Sequence, residues 1–459
     1  MTSKTNKSSW YKWEVLLLLW MAYLLNQADR QVFNTVLPQI KDAFNIGNAE
    51  VGLIATIFNL CYAFMVPLGG LAGDRLSRKW VVTIAILFWS FATMFTGLAG
   101  GVMMLILLRS VATGGGEAFF GPANYSLLGQ YHTDTRARAM SIHQTSYYVG
   151  VILAGWLAGF IADKLGWEYS FIIFGAAGVI WGIIMAIRLK DKKDSTQVAA
   201  KAVTASEPKP GLLDGFKVVF STPTALILTI GFSGFIFVIT GYMTWVPAFL
   251  KEQFNMSTTD AGLHSMLWTY IAAFAGVLLA GTLSDKMAIK SRKTRMVIQG
   301  IGLILCAAFL FFVNANAQLW IIYMSFAGWG FFRAFFDANI YTVLYDVTPS
   351  RLHASCSSAL ITTGFAVGAL APVILGLLIP EPTIQSFAGN ASDLTITLSD
   401  GTKYIHDFIN SESLVDTTQT KDYWAIAFKV LASVWIACGA LMLWASKKFY
   451  QKDYDKINR

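Results

Sequence analysis

Charge is scarce in this chain of 459 residues: Asp, Glu, Lys and Arg make up 14% of it, against 55% apolar residues. A soluble protein of this length could not cover itself with polar groups, whereas a lipid bilayer demands such a composition. Cysteine is scarce too. The four present, Cys61, Cys306, Cys356 and Cys438, lie in or beside apolar runs and form no CxxC pair. That pattern excludes a disulfide framework or a thiolate metal site and leaves free thiols packed as small hydrophobes. HExxH, GxSxG and the nucleotide-cradling P-loop are all missing, so the residues offer no catalytic set and neither a metal nor a cofactor site. The first apolar run, 15–25, has no small-residue cleavage site and continues into Asn26-Gln27-Ala28-Asp29-Arg30, so the amino terminus is expected to stay attached.

What the chain does have is long apolar runs. A helix needs about 20 residues to cross the hydrocarbon core, and runs of that order fall near 14–36, 50–72, 79–99, 102–127, 139–162, 168–188, 222–249, 259–283, 295–314, 317–345, 353–379 and 423–446. Residues 191–216, rich in Lys, Ala, Ser, Thr and Pro, read as a solvated linker between an N-terminal half, 1–190, and a C-terminal half, 217–459. Within 381–422, Leu394 to Leu398, then Ser399-Asp400-Gly401, then Lys403 to Ile409 form a β-hairpin pattern with an Asp-Gly turn. The expected fold is an all-α membrane protein: twelve transmembrane helices in two six-helix bundles, with a small extracytoplasmic β-hairpin insert.

Net charge is +8, yet the location of that charge argues against a nucleic-acid partner. Lys4, Lys7 and Lys12 precede the first run, Arg75, Arg78 and Lys79 follow the second, Arg136 and Arg138 the fourth, and Lys286 to Arg295 the eighth. The odd-numbered exits hold only Lys41, Lys164, Lys251, Lys403 and Lys421. This is the positive-inside bias, and it places both termini in the cytoplasm. Two of the basic loops also share a grammar: Gly70-x-x-x-Asp74-Arg75, with Arg78 and Lys79 behind, and Gly281-x-x-x-Asp285-Lys286. Repetition at matching places in two halves marks a duplicated unit.

Some charges fall inside the apolar runs: Asp29 and Arg30 in the first, Arg109 and Glu117 in the fourth, Arg333 and Asp337 in the tenth. An ionisable group at mid-bilayer costs roughly 2.5–3.5 kcal/mol even on the lenient scale, so such groups face a partner or a watery cavity. Arg109, Thr113 and Glu117 share a helical stripe, as do Arg333, Asp337 and Tyr341. Arg333 and Asp337 can pair on one face. Arg109 needs another partner, for which Asp29 or a substrate anion is available. Glu117 follows Gly114-Gly115-Gly116, where backbones can approach and bury its carboxylate. Burial disfavours the charged form and a nearby Arg favours it, so Glu117 is suited to exchange a proton, with Asp29, Asp337 and His143 as further candidates. Gln144 and Tyr147 on the fifth run, Asn339 and Trp245 complete the candidate binding residues. The stretch Gly241 to Pro247 is expected to break the seventh helix locally.

At this point the chain resembles the major facilitator superfamily. Gly70, Asp74, Arg75, Arg78 and Lys79 match its signature G-x-L-x-D-R-x-G-R-K, with Ala72 in place of the usual Leu and Ser77 in place of the usual Gly, and Asp285 and Lys286 match the second copy. The resemblance implies that Gly70, Asp74, Arg75, Arg78, Asp285 and Lys286 serve a gate. A closer likeness is to the Spinster-like and anion:cation symporter branches, carried by Asp29-Arg30, by Arg109 with the Gly-rich turn and Glu117, by Pro122-Ala123 and Ser126, by Arg136 and Ala139-Met140-Ser141-Ile142, and by Gly166-Trp167 with Phe171. Glu117 stands one residue further from Arg109 than in those branches, which on a regular helix rotates it by about 100°. The resemblance implies a proton-coupled (or sodium-coupled) symporter of a small organic anion such as a sugar acid, working as a monomer in the cytoplasmic membrane. Arg30, Arg109 and Arg333 would hold the carboxylate, since the guanidinium fork suits it. A carrier of lysolipid-like amphiphiles or neutral sugars is the alternative. A transporter-like sensor is more remote, as the tail after Ala445 is short.

Overall fold

The computed structural model describes residues 3–132, 135–190, 213–314, 316–379, 384–389, 393–398, 403–407, 412–416 and 423–458. In the first half, apolar runs of the expected length form α1 (Ser3–Phe44), α2 (Asn48–Arg75), α3 (Arg78–Thr96), α4 (Val102–Tyr131), α5 (Arg136–Leu165) and α6 (Trp167–Arg188). The linker's residues 191–212 lie outside the described residues, and its last three already belong to a short helix, α7 (Asp214–Ser221). The second half continues with α8 (Pro223–Phe254), α9 (Thr258–Ala288), α10 (Thr294–Leu310), α11 (Leu319–Asp346), α12 (His353–Gly368), α13 (Ala371–Leu378), α14 (Tyr423–Lys448) and α15 (Tyr450–Asn458). Among the described residues, ten helices are long and apolar enough to cross a membrane, with α12 and α13 counted as one, and α10 is a shorter apolar helix. The four cysteines are free, three of them buried.

Two departures from the expected runs each turn on a proline. Residues 353–379 are not one helix, because Pro372 has no N–H to give the Gly368 carbonyl. The chain breaks after Gly368, and Thr240 Oγ1 of α8 donates to that carbonyl instead, at 2.7 Å. The break expected at 241–247 is absent: α8 runs through Pro247, and every residue from Thr244 to Leu250 is buried, so packing on all sides holds the helix straight through. In the insert, four strands, β1 (Ile384–Gly389), β2 (Asp393–Leu398), β3 (Lys403–Asp407) and β4 (Glu412–Asp416), form an antiparallel meander. The hairpin pattern falls on β2 and β3, with Thr397 opposite Lys403, and its Asp-Gly turn lies outside the described residues.

The halves meet chiefly at the end remote from the basic loops. There α5 crosses α9 so closely that a Cβ on Gly262 would stand 2.1 Å from the Gly155 carbonyl oxygen, and only glycine permits the approach. Asp163 of α5 caps the start of α9, accepting from the Thr258 and Thr259 amides and, at 2.7 Å, from Thr259 Oγ1. Asn48 Nδ2 of α2 donates to the Ile379 carbonyl at 2.6 Å, and Lys41 Nζ lies 3.8 Å from Glu252. Nearer the middle, the hydroxyls of Tyr147 on α5 and Tyr270 on α9 are 3.0 Å apart.

Candidate functional site

Between the halves lies a cavity of about 550 Å³, lined from both. Its walls reach from Asn34 near the closed end to Tyr125 and Tyr341, a few turns from the basic loops. The lining contains three arginines, Arg30, Arg109 and Arg333, and two carboxylates, Glu117 and Asp337. Gln144 and Tyr147 line it as well.

Helix α4 brings Arg109 and Glu117 onto the cavity by an irregularity. Residues Ile106–Thr113 form a π-helical stretch, in which hydrogen bonds span five residues and each residue turns the chain less than in an α-helix. Thr113 Oγ1 returns to the Leu108 carbonyl, five residues back, at 2.9 Å, and Ser110 Oγ ties the stretch to the Ile54 carbonyl of α2 at 2.7 Å. The residue that separates Arg109 from Glu117 beyond the usual spacing is thereby absorbed. The rotation expected of a regular helix does not carry Glu117 out of the cavity.

The partners differ from those expected. Glu117, with a side chain fully buried, pairs with Arg30 of α1: Nε lies 2.6 Å from Oε2. Arg109 is 4% exposed and has no carboxylate partner among the described residues. Its Nη2 donates to the Arg30 carbonyl at 3.3 Å, while Nε and Nη1 have no hydrogen-bond partner. Phe58 of α2 lies between the two cations, 5.5 Å from the Arg30 guanidinium and 4.3 Å from that of Arg109, and Tyr62 lies 4.2 Å from Arg30. Such desolvated cation–π contacts contribute about 2 kcal/mol each and hold both forks in place. Asp29 is not Arg109's partner; it turns away from the cavity and accepts from Thr93 Oγ1 of α3 at 3.3 Å. In the other half, Arg333 Nε is 3.6 Å from Asp337 Oδ2 on the same helix, and its guanidinium lies over Tyr270 and Trp329.

Several expected site residues stand behind the lining. His143 is buried against Asn124, 3.0 Å from Nε2, and stacked on Tyr23. Trp245 is 1% exposed and donates to the Pro372 carbonyl beside the break between α12 and α13, so it is a strut. Asn339 braces the joint within α11, donating to Ser284 Oγ of α9 and to the Phe335 carbonyl. Of the residues expected to serve a gate, the side chains of Asp74 and Arg75 lie outside the described residues, Arg78 Nε donates to the Gly73 carbonyl at 3.3 Å, and a Cβ on Gly70 would meet nothing within 4 Å. Asp285 pairs with Arg295 in a network that includes Asp346, Arg292 and Tyr450, and Lys286 is exposed. Among the described residues no cluster of His, Cys, Asp or Glu could hold a metal ion.

Sequence reasoning passed over helix α2, which contributes Phe58, Asn59 and Tyr62 to the cavity, and over Tyr23 and Asn34 of α1. The signal was available in α2 as Asn59 and Tyr62, polar groups inside a long apolar run.

The sequence model of the Major Facilitator Superfamily matches residues 19–372. The chain is 26% identical over 297 residues to the hexuronate transporter of Bacillus subtilis, covering 64% of this chain and 70% of that one. It is 25% identical over 386 residues to the D-galactonate transporter of Escherichia coli O6:H1, covering 79% and 88%. In three dimensions it is similar to a bacterial homologue of the human lysosomal transporter Spinster in an inward-facing, unoccupied conformation, at a TM-score of 0.67, 20% identity and 98% coverage of each chain.

Proposed function

Because the chain belongs to the major facilitator superfamily, we propose that it carries a small organic anion, a sugar acid or related carboxylate, across the cytoplasmic membrane together with a proton. It is a multi-pass membrane protein and a transporter, not an enzyme. On this reading α1 and α10 complete twelve spans with the ten that are apolar throughout, both termini are cytoplasmic, and the closed end is the outer face. The protein is then poised inward-facing. The names of the two relatives, both carriers of sugar acids, support the substrate class.

One observation carries the reading: the cavity holds three arginines against two carboxylates, and among the described residues Arg109 is the one of the three without a carboxylate partner. A buried guanidinium in that state wants an anion, and its fork matches a carboxylate. The chemistry then follows from the pairs. Protonation of Glu117 releases Arg30 from its 2.6 Å ion pair, so Arg30 and Arg109 can grip the carboxylate from either side of Phe58. Once the anion has departed, the Arg30 guanidinium favours the ionised carboxylate, so Glu117 gives its proton to water on the open side and the ion pair re-forms. The cavity carries the same net charge empty and loaded, so one monoanion moves with one proton. Asn26, Asn34, Asn59 and Gln144 offer hydrogen bonds to a polyhydroxy chain. Rocking of the halves closes the cavity on one side and opens it on the other.

Uptake into proteoliposomes tests this with D-galactonate, a hexuronate, neutral sugars and a lysolipid, each under proton, sodium or no gradient. We expect the sugar acids alone to accumulate, and only with the proton gradient. Equal uptake of a neutral sugar or indifference to the proton gradient would sink the proposal. The amphiphile reading draws on the apolar wall made by Phe232, Phe235, Ile236, Ile239 and Met243 of α8, and lysolipid uptake in the same assay would favour it.

A further inference from the structure

On the face of α4 opposite Arg109 and Glu117 runs a second hollow, a groove of about 800 Å³ between α2, α3 and α4. Its surface is almost wholly apolar. Phe88, Ile84 and Trp80 of α3 form one wall, 53%, 60% and 50% exposed, and Met65 of α2 forms the other. The floor belongs to the irregular part of α4, at Val111, Ala112, Gly115 and Gly116. The glycines leave it open: a Cβ on Gly115 would find only Met65 Cγ, at 3.9 Å.

The mouth has a different character. Ser77 and Trp80 line it at the basic-loop end, and Lys79 holds its ammonium 4.8 Å from the Trp80 ring, with Arg78 beside it in the chain. An apolar trough that ends in an indole and cations has the charge pattern of a lipid whose acyl chain is apolar and whose head is anionic. We infer that the groove is a binding site for one anionic phospholipid, its acyl chain lying against Gly115 and Phe88 and its phosphate meeting Lys79 and Arg78. The lipid fills the space behind the π-helical stretch and so supports the helix that positions Arg109 and Glu117. A neutral lipid would satisfy the trough but not the mouth.

Native mass spectrometry of the full chain, purified and re-supplied with phosphatidylglycerol or phosphatidylcholine, reads this independently of what is transported. The expected result is one retained phosphatidylglycerol, preferred over phosphatidylcholine by roughly fivefold for each cation engaged. Lys79→Glu should erase that preference. Gly115→Leu should lower retention of both lipids by filling the floor, and Ile84→Trp fills the groove from α3 should the glycine variant fail to fold. Uptake by the wild-type chain should be faster in phosphatidylglycerol vesicles than in phosphatidylcholine vesicles. Equal retention of the two lipids, retention unchanged in the folded groove-filling variant, or a dimer in place of a lipid adduct would overturn the inference.

Discussion

Helices α4 and α11 carry the same kinds of charge at matching places in the two halves, yet they spend them differently. On α11, Arg333 and Asp337 sit one regular turn apart and pair with each other. On α4, a π-helical stretch and three glycines intervene, and neither Arg109 nor Glu117 pairs with the other. Glu117 takes Arg30 from α1, and among the described residues Arg109 is left without a carboxylate partner. The pair on one helix gives its own arginine a counter-charge, whereas the pair shared between helices leaves Arg109 without one. On the proposed reading, substrate and proton chemistry concentrate in the N-terminal half.

The largest effect is expected from removing the cation that has no carboxylate partner. Arg109→Ala should lower uptake efficiency roughly 100-fold, since one or two charge-assisted hydrogen bonds to the carboxylate are worth about 1.5–3 kcal/mol each. Arg109→Lys should recover little of it, because the ammonium lacks the fork. Initial-rate uptake of a labelled sugar acid measures both.

Next come single-residue deletions. Removing Ala112 turns hydrogen bonds that span five residues into ones that span four, so the stretch becomes an ordinary α-helix with its flanks unmoved. That variant should keep most of its uptake. Removing the lipid-facing Met324 from the regular α11 rotates everything before or after it by about 100° and should abolish folding or transport. Size-exclusion profiles and uptake compare the two.

A smaller effect is expected when each ion pair is deleted whole. Arg333→Ala with Asp337→Ala should transport far better than Arg333→Ala alone, which strands a carboxylate beside the cavity. Arg30→Ala with Glu117→Ala should show no such rescue, because both groups act in the cycle. The smallest change is Trp245→Phe, which loses the bond to the Pro372 carbonyl. It should cost roughly 1 kcal/mol of thermal stability and leave KM unchanged.

Much of this architecture could be read in the sequence, because a bilayer enforces long apolar runs and basic loops on one side. The stripe on α4 was legible for the same reason: buried charge must be explained. The pairing of Arg30 with Glu117 was not, since no periodicity links positions 87 apart in the chain. Trp245 and Asn339 misled because polar side chains in apolar helices serve backbone carbonyls as readily as ligands. Trp245 is taken by the Pro372 carbonyl, and Asn339 by the joint at Ala338–Asn339. The π-helical stretch also escaped sequence reasoning, which assumed one residue per 100° along the whole of α4.

The claim at the centre is that Glu117, released from Arg30 by a proton, couples that proton to the anion. Glu117→Gln mimics the protonated state permanently. In proteoliposomes loaded with unlabelled sugar acid, this variant should exchange labelled for unlabelled substrate at a rate near that of the wild type, while failing to accumulate substrate under an inward proton gradient. Accumulation at the wild-type level by the variant would contradict the account and move proton coupling to another carboxylate.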